Sequence, residues 1–170
     1  MEKIYVIEEC NGMYSDSHTN PIKAYRSYDK AKAECDKLNK EMDEIQCSFD
    51  KLENKEVVEK NINEVKEYIF KQARPFLFDK WYQIYHSDED SYSWNDECNE
   101  VENEYYDVTD EAEKNVVTFI EKAKEMKQFS EIELNEIETY LVYLNNCDYG
   151  NIYEGLPSYY ISNNSVELVD

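Results

Sequence analysis

Apolar residues recur at helical spacing through residues 28–73. Steps of four and three residues place one apolar stripe on a helix, formed by Ala31, Cys35, Leu38, Met42, Ile45, Phe49 and Leu52. The phase of the pattern then slips near Asn54, and it resumes at Val58, Ile62, Val65 and Ile69. One long helix with a stutter and two helices that turn near Asn54 both fit this slip, and we favour two. Pro75 ends the second helix. The stripe also permits a coiled-coil homodimer.

Patterns typical of strands lie at both ends of the chain. Residues 3–9 and 22–26 are rich in β-branched and aromatic side chains, and Ser27 can cap the helix that follows. Residues 158–162 and 165–169 predict two strands around an Asn-Asn turn, or one bulged strand. We therefore expect an α+β fold with one small antiparallel sheet, formed by the N-terminal β-β-α unit and the C-terminal strands. The first helix packs on this sheet through Ala31, Cys35, Leu38 and Met42.

The middle of the chain is expected to be a helical insertion. Residues 76–85 are dense in aromatic side chains and predict a strand or a short helix. Thr109 is the expected cap of a helix that carries Ala112, Val116, Ile120 and Ala123 on one face. Ser130 and Glu133 form a capping box for the next helix, with Leu134, Ile137, Leu141 and Leu144 facing inward. We expect a single domain over residues 1–170. Within it, residues 1–53 and 156–170 form the sheet and first helix, and residues 54–155 form the insertion.

Charge is distributed unevenly. The net charge is −21, and residues 81–170 hold 22 acidic but only four basic side chains. Between Lys80 and Lys114 there are 12 carboxylates and no lysine or arginine. Direct binding to nucleic acid or to an anionic membrane requires cations, so we expect neither. Such a field favours a basic partner; the alternative is a solvated face that only keeps the protein soluble.

One acidic pattern is more specific. Residues 100–107 begin with Glu100, Glu102 and Glu104 at alternate positions. In an extended strand these side chains project from one face, about 6.5 Å apart. That distance approximates the spacing of neighbouring phosphates on a nucleic-acid strand. The alternative is an ordinary exposed sheet edge whose carboxylates discourage aggregation.

Residue patterns typical of catalysis or of cofactor binding are missing from the sequence. Its three glycines form no phosphate-binding loop. The two histidines, His18 and His86, lie beside carboxylates, but a surface loop histidine is commoner than a metal ligand. The stretch from Asp88 matches a calcium-binding loop at its first three positions and then lacks the required glycine and final glutamate, which leaves only weak calcium binding open. We expect no enzymatic activity, no metal and no cofactor.

The cysteines and the N-terminus indicate a cellular compartment. The number of cysteines is odd, their spacings are wide and no C-x-x-C motif occurs, so we expect five free thiols. They are Cys10, Cys35, Cys47, Cys98 and Cys147. The first residues predict a strand and not a signal peptide, and no apolar run approaches the roughly 20 residues needed to cross a bilayer. We therefore expect a cytoplasmic protein.

The ends of the chain resemble small phage-encoded β-β-α proteins. The resemblance rests on Tyr5-Val6, Tyr25–Ala31, Leu38-Asn39, Tyr159–Ile161 and Val166–Leu168. It concerns the fold and implies no chemistry. Together with the acidic half, it makes the chain similar to anti-CRISPR and other DNA-mimic inhibitors. On that resemblance the partner is a basic nucleic-acid-binding nuclease, such as a CRISPR effector, in the cytoplasm of a phage host.

Two alternatives stay open: an immunity protein that neutralises a basic toxin, and a structural or self-assembling protein that uses the helical stripe. For the inhibitor, the expected contacts are acidic residues of the 86–113 segment with aromatic anchors among them, because aromatic residues carry much of the binding energy in interfaces. The acidic candidates are Asp88, Glu89, Asp90, Asp96, Glu97, Glu100, Glu102, Glu104 and Asp107. The aromatic candidates are Tyr92, Trp94, Tyr105 and Tyr106.

Overall fold

The computed structural model describes residues 3–11, 18–86, 96–147 and 155–162. Within them, three strands and six helices confirm the expected α+β fold. The strands are β1 (Tyr5–Asn11), β2 (His18–Tyr25) and β3 (Ser158–Ser162). The helices are α1 (Tyr28–Asp50), α2 (Lys55–Ala73), α3 (Pro75–His86), α4 (Asp96–Lys114), α5 (Val116–Met126) and α6 (Glu131–Asn146).

The chain divides into two compact units. The first comprises Met1–Leu52 and Val142–Asp170, and the second comprises Glu53–Leu141. The sheet and α1 belong to the first unit, and α2 to α5 belong to the second. The expectation of a single domain stays a prediction.

The first unit is organised by an antiparallel sheet with the strand order β2-β1-β3. Val6 is opposite Ser162, and Ile7 is opposite Ile161, so strands from both ends of the chain share one sheet as predicted. The register between β1 and β2 shifts between Ile7 and Glu8, where Pro21 becomes the partner of Glu8. Proline has no N–H for the ladder, which suits it to such an irregular position. The predicted strand over 165–169 lies outside the described residues.

Helix α1 covers the sheet with the predicted stripe. The Ser27 side chain accepts a hydrogen bond from the Lys30 N–H at 3.5 Å, as expected for the N-cap. Ile7 of β1, Ala31 and Cys35 are buried together, and Leu38 packs against them. Met42 is only partly buried. Further along α1, the ring of Phe49 stacks on that of Tyr143 at a centroid distance of 3.8 Å.

A side-chain amide from α1 forms hydrogen bonds with backbone groups on the outer edge of β3. The Asn39 Nδ2 donates to the Tyr159 carbonyl at 2.9 Å, and the Tyr159 N–H donates to the Asn39 Oδ1 at 2.9 Å. In an antiparallel ladder, a residue directs both backbone groups to the same neighbour. Tyr159 therefore points them away from β1, and Asn39 replaces the missing strand. Burial raises the pKa of Tyr159 to about 12, and its hydroxyl donates to Glu9 at 3.1 Å.

Helices α1 and α2 are separate, as favoured from the sequence. Helix α1 ends at Asp50, and Asn54 caps α2 by accepting a hydrogen bond from the Val57 N–H at 3.3 Å. Helix α2 ends at Ala73 because Pro75 disfavours the helical conformation at Arg74. Proline is well suited to the first position of a helix, where its missing N–H costs nothing, so Pro75 begins α3. Residues 76–85 therefore form a helix and not a strand.

The predicted start of the next helix at Thr109 is wrong. Thr109 lies inside α4 and is buried, and its hydroxyl donates to the Tyr105 carbonyl at 2.9 Å. A threonine in a helix interior can satisfy its hydroxyl in this way. The sequence alone therefore does not distinguish such a threonine from an N-cap threonine. The helix break falls at Asn115, whose side chain accepts from the Thr118 N–H at 3.2 Å. Ala112 and Val116 thus belong to different helices, α4 and α5.

The capping box of α6 is confirmed. The Ser130 N–H donates to the Glu133 carboxylate at 2.7 Å, and the Glu133 N–H donates to the Ser130 hydroxyl at 3.3 Å. Leu134, Ile137 and Leu141 are buried, and Leu144 is partly buried. The five cysteines are free thiols in the structure. None of the described helices combines the length and apolarity needed to cross a membrane.

Candidate functional site

Helix α4 carries most of the acidic surplus of the second unit. It contains nine carboxylates and one lysine. Val101 and Tyr105 on its inner face pack with Phe70 and Trp81, and Leu77, Phe78 and Val108 surround this cluster. The exposed carboxylates that the structure describes therefore lie on the two flanks of the helix and its outer side, whereas Glu113 is largely buried.

One flank presents a line of carboxylates that we call the acidic stripe: Glu100, Glu104, Asp107 and Glu111. Steps of four, three and four residues keep these side chains on one face of a helix. At a rise of 1.5 Å per residue, the stripe extends about 16 Å along the helix axis. Glu100, Asp107 and Glu111 are exposed, and Glu104 is partly exposed.

The acidic stripe is only slightly neutralised. The Arg74 Nε donates to the Glu104 carboxylate at 2.9 Å. Within the described part of the chain, no cationic side chain lies within 4.0 Å of the carboxylates of Glu100, Asp107 or Glu111. Three members of the stripe line a cleft of about 490 Å³ together with Leu77, Lys80, Val101 and Asn103. In the described part of the chain, Glu100 and Asp107 thus have no ion-pair partner that an approaching cation would have to displace.

Phe76 is an exposed aromatic side chain beside this cleft. It is 96% exposed in the first turn of α3, immediately before Leu77, which lines the cleft. Sequence reasoning did not select it, although a signal existed. The inward positions of α3 are Leu77, Phe78, Trp81 and Ile84, at steps of three and four residues, and Phe76 falls outside that pattern.

The opposite flank of α4 borders a second cleft, of about 570 Å³, which we call the aromatic cleft. The Trp81 ring stacks on Tyr105 at 4.3 Å and on Tyr85 at 5.2 Å, and Tyr106 meets Tyr105 edge-on at 5.5 Å. Trp81 is buried, and its indole N–H has no hydrogen-bond partner among the described residues. The other residues that line the cleft are Lys60, Asn63, Glu64, Lys66, Glu67 and His86.

Ion pairs organise the polar part of the aromatic cleft. Lys66 lies 3.2 Å from Glu113, and both side chains are largely buried. Burial raises the pKa of the Glu113 carboxyl, and the neighbouring Lys66 ammonium opposes this shift. His86 Nε2 lies 3.3 Å from Glu67. The Tyr85 hydroxyl donates to Glu102, and burial together with this hydrogen bond raises the pKa of Tyr85.

The structure separates the residues that the sequence placed in one extended acidic face. The extended interpretation of Glu100, Glu102 and Glu104 is wrong, because all three lie on α4. In a helix, Glu102 is rotated about 200° from Glu100, and it borders the aromatic cleft through Tyr85. Tyr105 is buried in the core cluster, whereas Tyr106 is exposed.

The remaining predicted contact residues lie near the start of α4 or outside the described residues. Asp96 and Glu97 form its first turn. Asp88, Glu89, Asp90, Tyr92 and Trp94 lie outside the described residues.

No family model matches the chain, and neither a curated protein nor a solved structure matches it. The described residues also contain no group of three or more histidine, cysteine or acidic side chains arranged to hold a metal ion. The chemistry of the two clefts is therefore the basis for a functional proposal. One cleft offers carboxylates with an exposed phenylalanine beside it, and the other offers aromatic rings with ion pairs.

Proposed function

We propose that this protein is an acidic inhibitor that binds the basic nucleic-acid-binding surface of a partner protein. The observation that supports this proposal is the acidic stripe, since among the described residues only Glu104 of its four carboxylates has a cation within 4.0 Å. A surface built from arginine and lysine to bind phosphates is complementary to such a stripe.

The charge distribution favours fast and specific association. A net charge of −21 attracts a basic partner at long range and increases the encounter rate. Salt at about 0.15 M reduces the range of this attraction to about 8 Å. Contacts buried at the interface are screened less than the long-range field. Added salt should therefore slow association before it abolishes the complex.

Helix α4 can imitate phosphates without being extended. Neighbouring carboxylates of the acidic stripe are separated by about 4.5 to 6 Å along the helix axis. Phosphates on one strand of duplex DNA advance about 3.4 Å each along its axis. The stripe therefore offers fewer charges per length than DNA, and Phe76 supplies an apolar contact that phosphates lack. Competition with nucleic acid for one site is the property that defines this mechanism.

The partner class follows from the resemblance to anti-CRISPR proteins. A CRISPR nuclease holds its nucleic acids in a positively charged channel, and an acidic helix can occupy part of such a channel. The first experiment is capture of partners from host lysate on the immobilised protein at low and at high salt. The captured protein is then purified, and its binding to its own nucleic acid is measured with and without the inhibitor. Simultaneous binding of both to one partner molecule would refute mimicry.

A triple substitution tests the role of the acidic stripe. Glu100→Gln, Glu104→Gln and Asp107→Asn remove three charges and keep the side-chain shapes. We expect binding to the captured partner to weaken at least tenfold, which corresponds to about 1.4 kcal/mol. An unchanged affinity removes the stripe from the interface.

Helix α1 offers a matched control with the same change in net charge. Asp36→Asn, Glu41→Gln and Glu44→Gln remove three carboxylates that each pair with a lysine four residues earlier. We expect less than a threefold change in affinity, because these carboxylates are already neutralised. If both triple variants weaken binding equally, total charge and not the stripe determines affinity.

A further inference from the structure

The aromatic cleft leaves tyrosine rings accessible at its mouth. Trp81 is 4% exposed at the base of the cleft, whereas Tyr106 is 43% exposed and Tyr85 is 39% exposed. The Tyr85 hydroxyl donates to Glu102, which restrains the ring at the mouth. The volume of about 570 Å³ lies within the range of pockets that enclose ligands or partner side chains. A planar group can therefore lie against these rings without disturbing the core.

Charges around the cleft select for a cation. Each cation that lines the cleft has a carboxylate beside it: Lys66 has Glu113 and Asp110, Lys60 has Glu64, and His86 has Glu67. Glu64 and Glu67 line the cleft itself, and Glu102, Asp110 and Glu113 contact residues that line it. A cation in the cleft would meet the Glu64 and Glu67 carboxylates together with ring faces, and the three further carboxylates add negative charge around it.

We propose that the aromatic cleft binds an arginine side chain of the basic partner. The guanidinium group is planar and more weakly hydrated than an ammonium group, so it stacks on aromatic rings while its N–H groups reach a carboxylate. Glu64 and Glu67 line the cleft and supply such acceptors. Because the partner in the proposed function binds phosphates, its surface is rich in arginine. This inference rests on the proposed function and adds a residue-specific contact to it.

A comparison of two peptides of equal charge distinguishes an arginine-specific contact from non-specific electrostatic attraction. Hexa-arginine and hexa-lysine are titrated into the protein of residues 1–170 at about 0.15 M salt, and their affinities are compared. We expect hexa-arginine to bind at least fivefold more tightly. Tyr106→Ala should reduce this advantage to less than twofold and leave the affinity for hexa-lysine unchanged. Equal affinities of the two peptides for the unmodified protein, or an arginine advantage that survives Tyr106→Ala, would overturn the proposal.

Matched variants make the result interpretable. Tyr28→Ala removes a tyrosine of similar exposure, 49%, from the first unit, and should leave the arginine advantage intact. The triple substitution in the acidic stripe should lower the affinity of the protein for both peptides by a similar factor. Failure of both peptides to bind contradicts the proposed function, whereas binding without arginine preference contradicts only the aromatic cleft as an arginine site.

Trp81 provides a second readout that does not depend on a variant of the cleft. Its indole N–H resonance is distinguished from that of Trp94 with a Trp94→Phe protein. N-acetyl-arginine amide should shift the Trp81 resonance more strongly than N-acetyl-lysine amide at equal concentration, because Trp81 stacks with both Tyr85 and Tyr105. Equal shifts with the two compounds would count against an arginine site.

Discussion

The Lys66–Glu113 pair should determine much of the stability of the second unit. The side chains of Lys66 and Glu113 are only 13% and 15% exposed, and their charged atoms are 3.2 Å apart. Lys66→Met keeps most of the side-chain volume and leaves the Glu113 carboxylate buried without its nearest cation. Breaking a buried ion pair on one side typically costs about 3 to 5 kcal/mol. Asp110, 4.0 Å from Lys66, adds a second negative charge to the same place. We therefore expect Lys66→Met to lower the free energy of unfolding by about 3 kcal/mol at pH 7.

The direction of the pKa shift of Glu113 determines how the stability of Lys66→Met changes with pH. Burial raises the pKa of Glu113 in the folded protein even with Lys66 present, and removal of Lys66 raises that pKa further. A carboxyl whose folded-state pKa is raised stabilises the fold when it is protonated, and this contribution is lost as pH rises through the folded pKa. The deficit of Lys66→Met should therefore shrink when the pH falls from 7 toward 5. Urea denaturation of the variant and of the unmodified protein at pH 7 and at pH 5 measures this loss of stability.

Two further variants test the reasoning. Gln at position 113 imitates the protonated carboxyl, so Lys66→Met combined with Glu113→Gln should recover at least half of the lost stability. Lys60→Met is the control, because Lys60 is 76% exposed and lies 3.8 Å from Glu64; exposed pairs of this kind contribute about 0 to 1 kcal/mol. The reasoning is refuted if Lys66→Met costs no more than Lys60→Met, or if the double variant is as unstable as the single one.

Two other substitutions test the edge of the sheet and the exposed phenylalanine. Asn39→Asp removes the donor to the Tyr159 carbonyl and places an oxygen there instead. We expect a loss of about 1 to 3 kcal/mol in urea denaturation, against less than about 0.5 kcal/mol for Asn135→Asp, which adds the same charge at an exposed position. Phe76→Ser should leave stability within about 0.5 kcal/mol because the ring makes almost no internal contact. The same change should weaken partner binding at least fivefold by surface plasmon resonance, and an unchanged affinity would remove Phe76 from the interface.

Periodicity predicted the elements whose apolar faces are regular. The stripe of α1 was predictable because the helix has one apolar face, and the strands at both ends were predictable from their β-branched and aromatic side chains. The phase slip near Asn54 marked the true break between α1 and α2, and Asn54 is the N-cap of α2. The capping box at Ser130 and Glu133 was predictable for a similar reason, since it specifies a local hydrogen-bond pattern.

Helix α4 was harder to predict because its sequence contains two competing patterns. Alternating glutamates suggest a strand over 100–104, whereas the apolar positions Cys98, Val101, Tyr105 and Val108 follow steps of three and four. The structure follows the apolar pattern, because Val101 and Tyr105 are buried with Phe70 and Trp81, whereas exposed charges contribute little to the choice. The aromatic cleft was not predictable, because it forms only where α2, α3 and α4 pack together. Local sequence patterns do not show which helices pack against each other.

The contrast between α1 and α4 argues that the acidity of α4 has a function beyond solubility. Helix α1 has seven carboxylates and four lysines, and three of these lysines pair with a carboxylate one turn later. The acidic stripe of α4 has carboxylates at the same spacing but no lysine among them. Each like-charge pair at that spacing destabilises a helix by about 0.2 to 0.5 kcal/mol, and Glu111 and Glu113 also lie at the end of the helix where its dipole disfavours anions. A requirement for solubility alone would be met by the arrangement in α1, without this cost. The proposed basic partner would remove this repulsion on binding, so complex formation should stabilise α4 more than α1. Hydrogen exchange of the two helices in the free and bound protein measures this difference, and equal protection of both would indicate that the acidic stripe is not the contact surface.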